Sequence, residues 1–154
     1  APRADQTDRP AWTADRPAAL QGIIWYRLPT EADVLNWRWP TLASAREGRT
    51  PRPALRAMSQ RPQPELVEIV LVNDGDADAS LHVAVSARWR EARAVAADAL
   101  NGFEREESGP TELLLRGPSR PPVPRLQPGE RRVVAWLRLS RADEGVEVTL
   151  AGGN

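Results

Sequence analysis

"ELVEIVLVNDGDADASLHVAVSARW" spans residues 65–89, and its reading decides the fold. Two runs rich in β-branched and alternating residues, 65–72 and 81–89, flank an acidic centre. That centre, "NDGDADAS" (73–80), places Asp74, Asp76 and Asp78 at alternate positions around a glycine. A calcium loop of the helix–loop–helix kind needs a glycine at its sixth position and a bidentate Glu at its twelfth. Counting from Asp74, those positions hold Ala79 and Val85. A period of two in the flanks marks strands rather than helices. The stretch therefore reads as strand, tight turn, strand. Asn and Asp bond their own turn backbone, and Gly75 offers positive φ without strain. The expectation is a hairpin with no metal.

Working outward, the second run puts Leu81, Val83, Val85, Ala87 and Trp89 on one face and His82, Ser86 and Arg88 on the other. Strands are expected at 65–73, 79–89, 111–116, 131–140 and 145–150, separated by Gly/Pro-rich turns. In 131–139, Val133, Ala135, Leu137 and Leu139 alternate with Arg132, Val134, Trp136 and Arg138. If the first set is core, Trp136 lies outside, sharing a face with Arg132 and Arg138. Those three are candidate ligand or interface residues: they either stack on and bond a polyhydroxylated ligand, or lie under the N-terminal segment with Trp25, Trp37 or Trp39 packed over this face. Residues 90–104 are ambiguous: their alanines favour helix, whereas Asn101-Gly102 signals a turn.

Upstream the pattern changes. Residues 1–21 read as a polar lead-in, and "GIIWYRLP" (22–29) as one buried strand closed by proline. Within 30–48, Pro40 interrupts any long helix but is tolerated in a first turn, so a short helix opens near it and ends at Gly48. Residues 49–64 hold four prolines and read as a linker or surface strap. The β-rich unit is 65–154. Short strands with regular turn signals predict an antiparallel sandwich.

Composition narrows the function. The 154 residues carry 21 basic and 21 acidic side chains, every basic one an arginine, so bulk charge argues against nucleic acid as a partner. There is no cysteine, which excludes disulfides, thiolate metal sites and a cysteine nucleophile. The lone histidine, His82, cannot build a multi-histidine metal site, and on the polar face of its strand it reads as a solvated side chain. Phosphate-binding and dinucleotide fingerprints are absent, and no cofactor is expected. No apolar run reaches membrane-spanning length, so membrane insertion is not expected. The polar N-terminus lacks a basic-then-apolar leader. Paired carboxylates suffice for glycoside hydrolysis, but nothing places Glu31 and Asp33, or Glu104, Glu106 and Glu107, across a common cleft. Trp12, Trp25, Trp37, Trp39 and Tyr26 crowd the first 39 residues, either as a sugar-stacking surface or as packing.

Two resemblances add to this reading. "VLVNDGDADASLHVAV" (70–85) with "LQPGERRVVAWLRL" (126–139) resembles the Ig-like or fibronectin-like accessory β-sandwiches of bacterial envelope and secreted proteins. "GIIWYRLPTEADVLNWRWPTLASAREG" (22–48) resembles the end of the uncharacterised bacterial family of unknown function numbered 3142. That second resemblance implies a glycoside-hydrolase-like (β/α)₈ barrel followed by a β-rich tail. Residues 22–28 would then match the last barrel strand and 40–47 its helix, leaving a strand–loop–helix remnant without the seven earlier strands. Barrel active sites lie at the C-terminal strand ends, so Trp25, Tyr26 and Arg27 would stand near the mouth. The implied role is a non-catalytic accessory or stabilising module of a carbohydrate-processing-like protein. The alternatives are a fragment lending substrate contacts to a barrel, or a protein–protein interaction module. A glycan, or another domain or chain, is the implied partner, and a secreted or envelope setting is implied with it.

Overall fold

The computed structural model describes residues 38–121 and 123–151. The lead-in, the expected strand at 22–28, and Trp25, Tyr26 and Arg27 lie outside these. Helix α1 (Trp39–Arg46) begins with Pro40 in its first turn and gives way at Gly48, whose φ is +74°. Proline suits a first turn because the N–H it lacks has no partner there, and glycine adopts left-handed backbone without a Cβ clash. Both signals act as the sequence indicates.

The other elements among the described residues are strands, and every pairing between them is antiparallel. The strands are β1 (Leu55–Gln63), β2 (Leu66–Asn73), β3 (Ala79–Ser80), β4 (Ala84–Arg88), β5 (Ala94–Ala99), β6 (Glu104–Glu106), β7 (Glu112–Arg116), β8 (Arg125–Leu126), β9 (Arg131–Leu139) and β10 (Glu147–Ala151). One four-stranded sheet has the order β1-β2-β9-β5, a second the order β10-β4-β7-β6, and β3 pairs with β8. Val67, Ile69, Leu71, Leu137 and Leu139 of the first sheet share one core with Val85, Ala87, Leu113 and Leu115 of the second. Fully burying such a side chain contributes about 1.5–3 kcal/mol, which is why the alternating positions of β2, β4 and β9 set the faces.

Four expectations change. First, 73–80 is not a hairpin. β2 pairs with β1 and β9, whereas β4 pairs with β10 and β7, so the acidic stretch carries the chain from one sheet to the other. Gly75 does not have positive φ; it is needed because a Cβ there would collide with the backbone of Arg52, Pro53 and Ala54. Second, the proline-rich 49–64 stretch contains β1. This strand is an edge, and its register slips between Gln60 and Gln63, around Pro62. An edge strand tolerates proline because one row of N–H groups has no ladder to join. Third, the expected strand at 79–89 is broken into β3 and β4. Val83 N–H bonds Leu81 O in the break, and Gly117 approaches so closely that a Cβ would strike the carbonyls of Leu81 and Val83. Fourth, the alanine-rich 90–104 stretch forms β5 and the start of β6, turned by Asn101 (φ 55°) and Gly102 (φ 82°).

A bulge in β9 determines which side chains share the outer face of the first sheet. Ile69 faces Ala135 but Val70 faces Val133, so Val134 is the extra residue. Val134 and Ala135 are both fully buried in the core. Alternation therefore inverts at this point. Ala135, Leu137 and Leu139 point inward as expected, Val133 does not, and Val134 does.

Candidate functional site

The outer face of the first sheet is organised in rungs. Directly opposed residues of antiparallel strands point the same way. Gln60 of β1 faces Glu68 of β2, Glu68 faces Trp136 of β9, and Trp136 faces Asp98 of β5. One rung thus reads Gln60–Glu68–Trp136–Asp98 across all four strands. The Gln60 amide donates to Glu68 at 2.7 Å, and Arg131 donates to the Gln60 carbonyl at 3.2 Å. On one side lies a rung of Leu66, Arg138 and Ala96; on the other Met58, Val70 and Val133 stand together.

Trp136 is half-buried, Asp98 and Arg138 are exposed, and Val70 is 2% exposed. No buried side-chain nitrogen or oxygen among the described residues lacks a partner. The Trp136 indole N–H bonds none of the described groups, so it reaches solvent. Nor does any described group bond the Arg138 guanidinium.

The face differs from the sequence reading in one respect. Trp136 and Arg138 share it, as alternation requires, but the bulge at Val134 removes Arg132 from it. Arg132 faces Leu71, a core-side residue, and its guanidinium pairs with Glu130. Glu68, Asp98 and Gln60 belong to the face and were not singled out from sequence. Glu68 was accessible to reasoning, since it alternates with Val67 and Ile69. Asp98 and Gln60 sit in stretches whose strand character the sequence obscured.

Elsewhere the charged groups hold loops. The Asp76 carboxylate accepts from Ser44 Oγ, from Arg52 N–H at 2.6 Å and from Arg49 at 2.9 Å, so its pKa lies below the ordinary value, with the Ser44 bond the main cause. Thr41 Oγ1 donates to Asp76 O at 2.6 Å, completing the attachment of α1 to the crossing loop. Asp74 pairs with Arg56. The acidic stretch thus ties the crossing to α1 and β1, and the described residues contain no cluster of three potential metal ligands. Asn73 is fully buried; its amide donates to Ala77 O and Leu126 O and accepts from Ala54 N–H and Gly75 N–H.

A cavity of about 480 Å³ lies between 88–90 and 144–147. Glu144, at its edge, accepts from the N–H groups of Arg90, Glu91 and Ala92 in succession, which lowers its pKa, the Arg90 bond first. Its carboxylate fills a concavity of backbone donors of the kind that binds anions. Glu112 is lowered by Arg88 and then Ser86. His82 is exposed and Trp89 belongs to the core, its indole donating to Ala92 O. No helix of the described residues is long and apolar enough to cross a membrane.

No curated protein and no solved structure matches the chain. A family model, described as "Domain of unknown function (DUF8456)", matches residues 56–140, from the second residue of β1 to just past β9. That segment contains nearly all of the first sheet, with its Trp136 rung, and it makes up more than half of the chain, which therefore belongs to this family of unknown function.

Proposed function

We propose that the chain is a non-catalytic accessory or stabilising module, with the layout of an Ig-like sandwich, serving a bacterial carbohydrate-processing-like protein. One observation carries the non-catalytic part. Among the described residues, the three carboxylates with lowered pKa, Asp76, Glu112 and Glu144, are each spent on fastening a loop or a strand pair rather than aimed together into a cleft. Perturbed titration marks catalytic groups when a cleft accompanies it; in architectural ion pairs and capped turns it marks stability.

The parent context rests on the resemblance of residues 22–48 to the end of a glycoside-hydrolase-like barrel. In that context the sandwich follows the barrel in the chain, in a secreted or envelope protein, and its outer face meets a glycan or a neighbouring domain. The test is a turnover screen of pure protein over glycoside, ester and peptide substrates. Rates matching buffer support the module reading. Turnover that disappears in Glu31→Gln or Asp33→Asn overturns it in favour of an enzyme.

A further inference from the structure

We propose that the Gln60–Glu68–Trp136–Asp98 rung is a binding site for a neutral polysaccharide chain; this rests on the accessory-module reading and names its ligand and residues. The chemistry begins with Trp136. An indole offers a flat apolar platform and, at its edge, an N–H that here reaches solvent. A pyranose ring needs that combination, because its axial C–H groups are apolar and its rim is hydroxyl. On both neighbouring strands a carboxylate stands directly opposite the indole, Glu68 on one side and Asp98 on the other. Carboxylates accept hydrogen bonds from hydroxyls and do so more strongly than neutral acceptors. Arg138 supplies the complementary donor one rung away.

Charge selects among ligands. Glu68 and Asp98 are matched on this face by Arg131 and Arg138, so the surface is close to neutral. A polyanion meets two carboxylates beside the platform and a polycation meets two arginines. A neutral polyhydroxylated chain meets donors and acceptors with no net charge to oppose. The rung crosses four strands, about 14 Å at the usual strand spacing, so the site is an extended track rather than a pocket for one ring.

The test is affinity electrophoresis of the full chain in native gels cast with soluble neutral polysaccharides (a β-glucan, a xyloglucan and a galactomannan), with chitosan and polygalacturonate as charged comparators. Retardation is expected in at least one neutral gel and not in the charged gels at moderate salt. Trp136→Ala should weaken retention about tenfold, the change that about 1.4 kcal/mol produces. Asp98→Asn and Arg138→Gln alter exposed residues, and each should weaken retention while leaving the melting temperature unchanged. The proposal is overturned by no retention in any neutral gel, by retention in the charged gels alone, or by retention that all three variants leave intact. Turnover of a bound polysaccharide by the wild-type chain would instead overturn the non-catalytic reading and leave this site standing.

Discussion

The carboxylate of Glu144 caps the N–H of Ala92 at 3.2 Å, and with it those of Arg90 and Glu91, across 52 residues of sequence. Three consecutive backbone donors that would otherwise need water are satisfied by one side chain, next to the buried Trp89. The contact holds the segment leaving β4 against the one entering β10. Because Glu144 has a folded pKa below the ordinary glutamate value of about 4.3, its contribution is complete above that value. It is lost as pH falls through the depressed folded pKa. Glu144→Gln should lower the melting temperature at neutral pH and leave a shallower decline below about pH 4.3. Thermal melts across that range check both; a variant with the wild-type acid decline would show that Glu144 does not couple to folding.

Asn73 is the most demanding position in the crossing. Its side chain makes four hydrogen bonds in a fully buried setting. Asn73→Ala strands two N–H groups and two carbonyls at once. A buried unsatisfied group costs about 1–3 kcal/mol, so the loss in urea unfolding should be about 3 kcal/mol or more. A loss below about 1 kcal/mol would mean that water replaces the amide.

Two glycines give a matched pair. Gly75→Ala forces a methyl into the backbone of 52–54, whereas a methyl at Gly109 meets nothing within 4 Å. The first substitution should destabilise by about 1–3 kcal/mol, as overpacking does, and the second should be close to neutral. Equal melting temperatures would contradict the close approach of the crossing loop to the chain before β1.

Calcium should leave the protein unchanged. Asp74 and Asp76 already bind Arg56 and Arg49. Calorimetric titration should give no stoichiometric heat, and the melting temperature should not move; a shift of several degrees would mean that the ion displaces the arginines.

The features that sequence patterning conveyed were those with a strict period and a buried face. In β4, Val85 and Ala87, and in the second half of β9, Ala135, Leu137 and Leu139, enter the core, so alternation gave these inward sets correctly. Helix α1 was legible because Pro40 and Gly48 act through local backbone geometry alone. What escaped depended on non-local pairing. β1 contains Pro62 and is acceptable as a strand because it lies at an edge, and an edge is a property of the sheet. β5 looks helical by composition, and pairing with β9 overrides that preference. The crossing at 73–80 has the residues of a hairpin turn but leads to the other sheet, where Asn73 and Gly75 act through tertiary contacts. The bulge at Val134 leaves no mark in "RRVVAWLRL", and it separates Arg132 from the face of Trp136 and Arg138. Trp136, Arg138 and, through its alternation with Val67 and Ile69, Glu68 were therefore legible in the sequence, whereas Gln60 and Asp98 were not.

The most direct test of the account is the unfolding free energy of Trp136→Ala. The central claim is that Trp136 stands on the outer face, between Glu68 and Asp98, and serves a ligand rather than the core. Urea denaturation should then show a loss below about 1.5 kcal/mol, well under the cost of removing a buried aromatic. A loss of about 3–5 kcal/mol, the range for large aromatics packed in an interior, would contradict it and make Trp136 a packing residue.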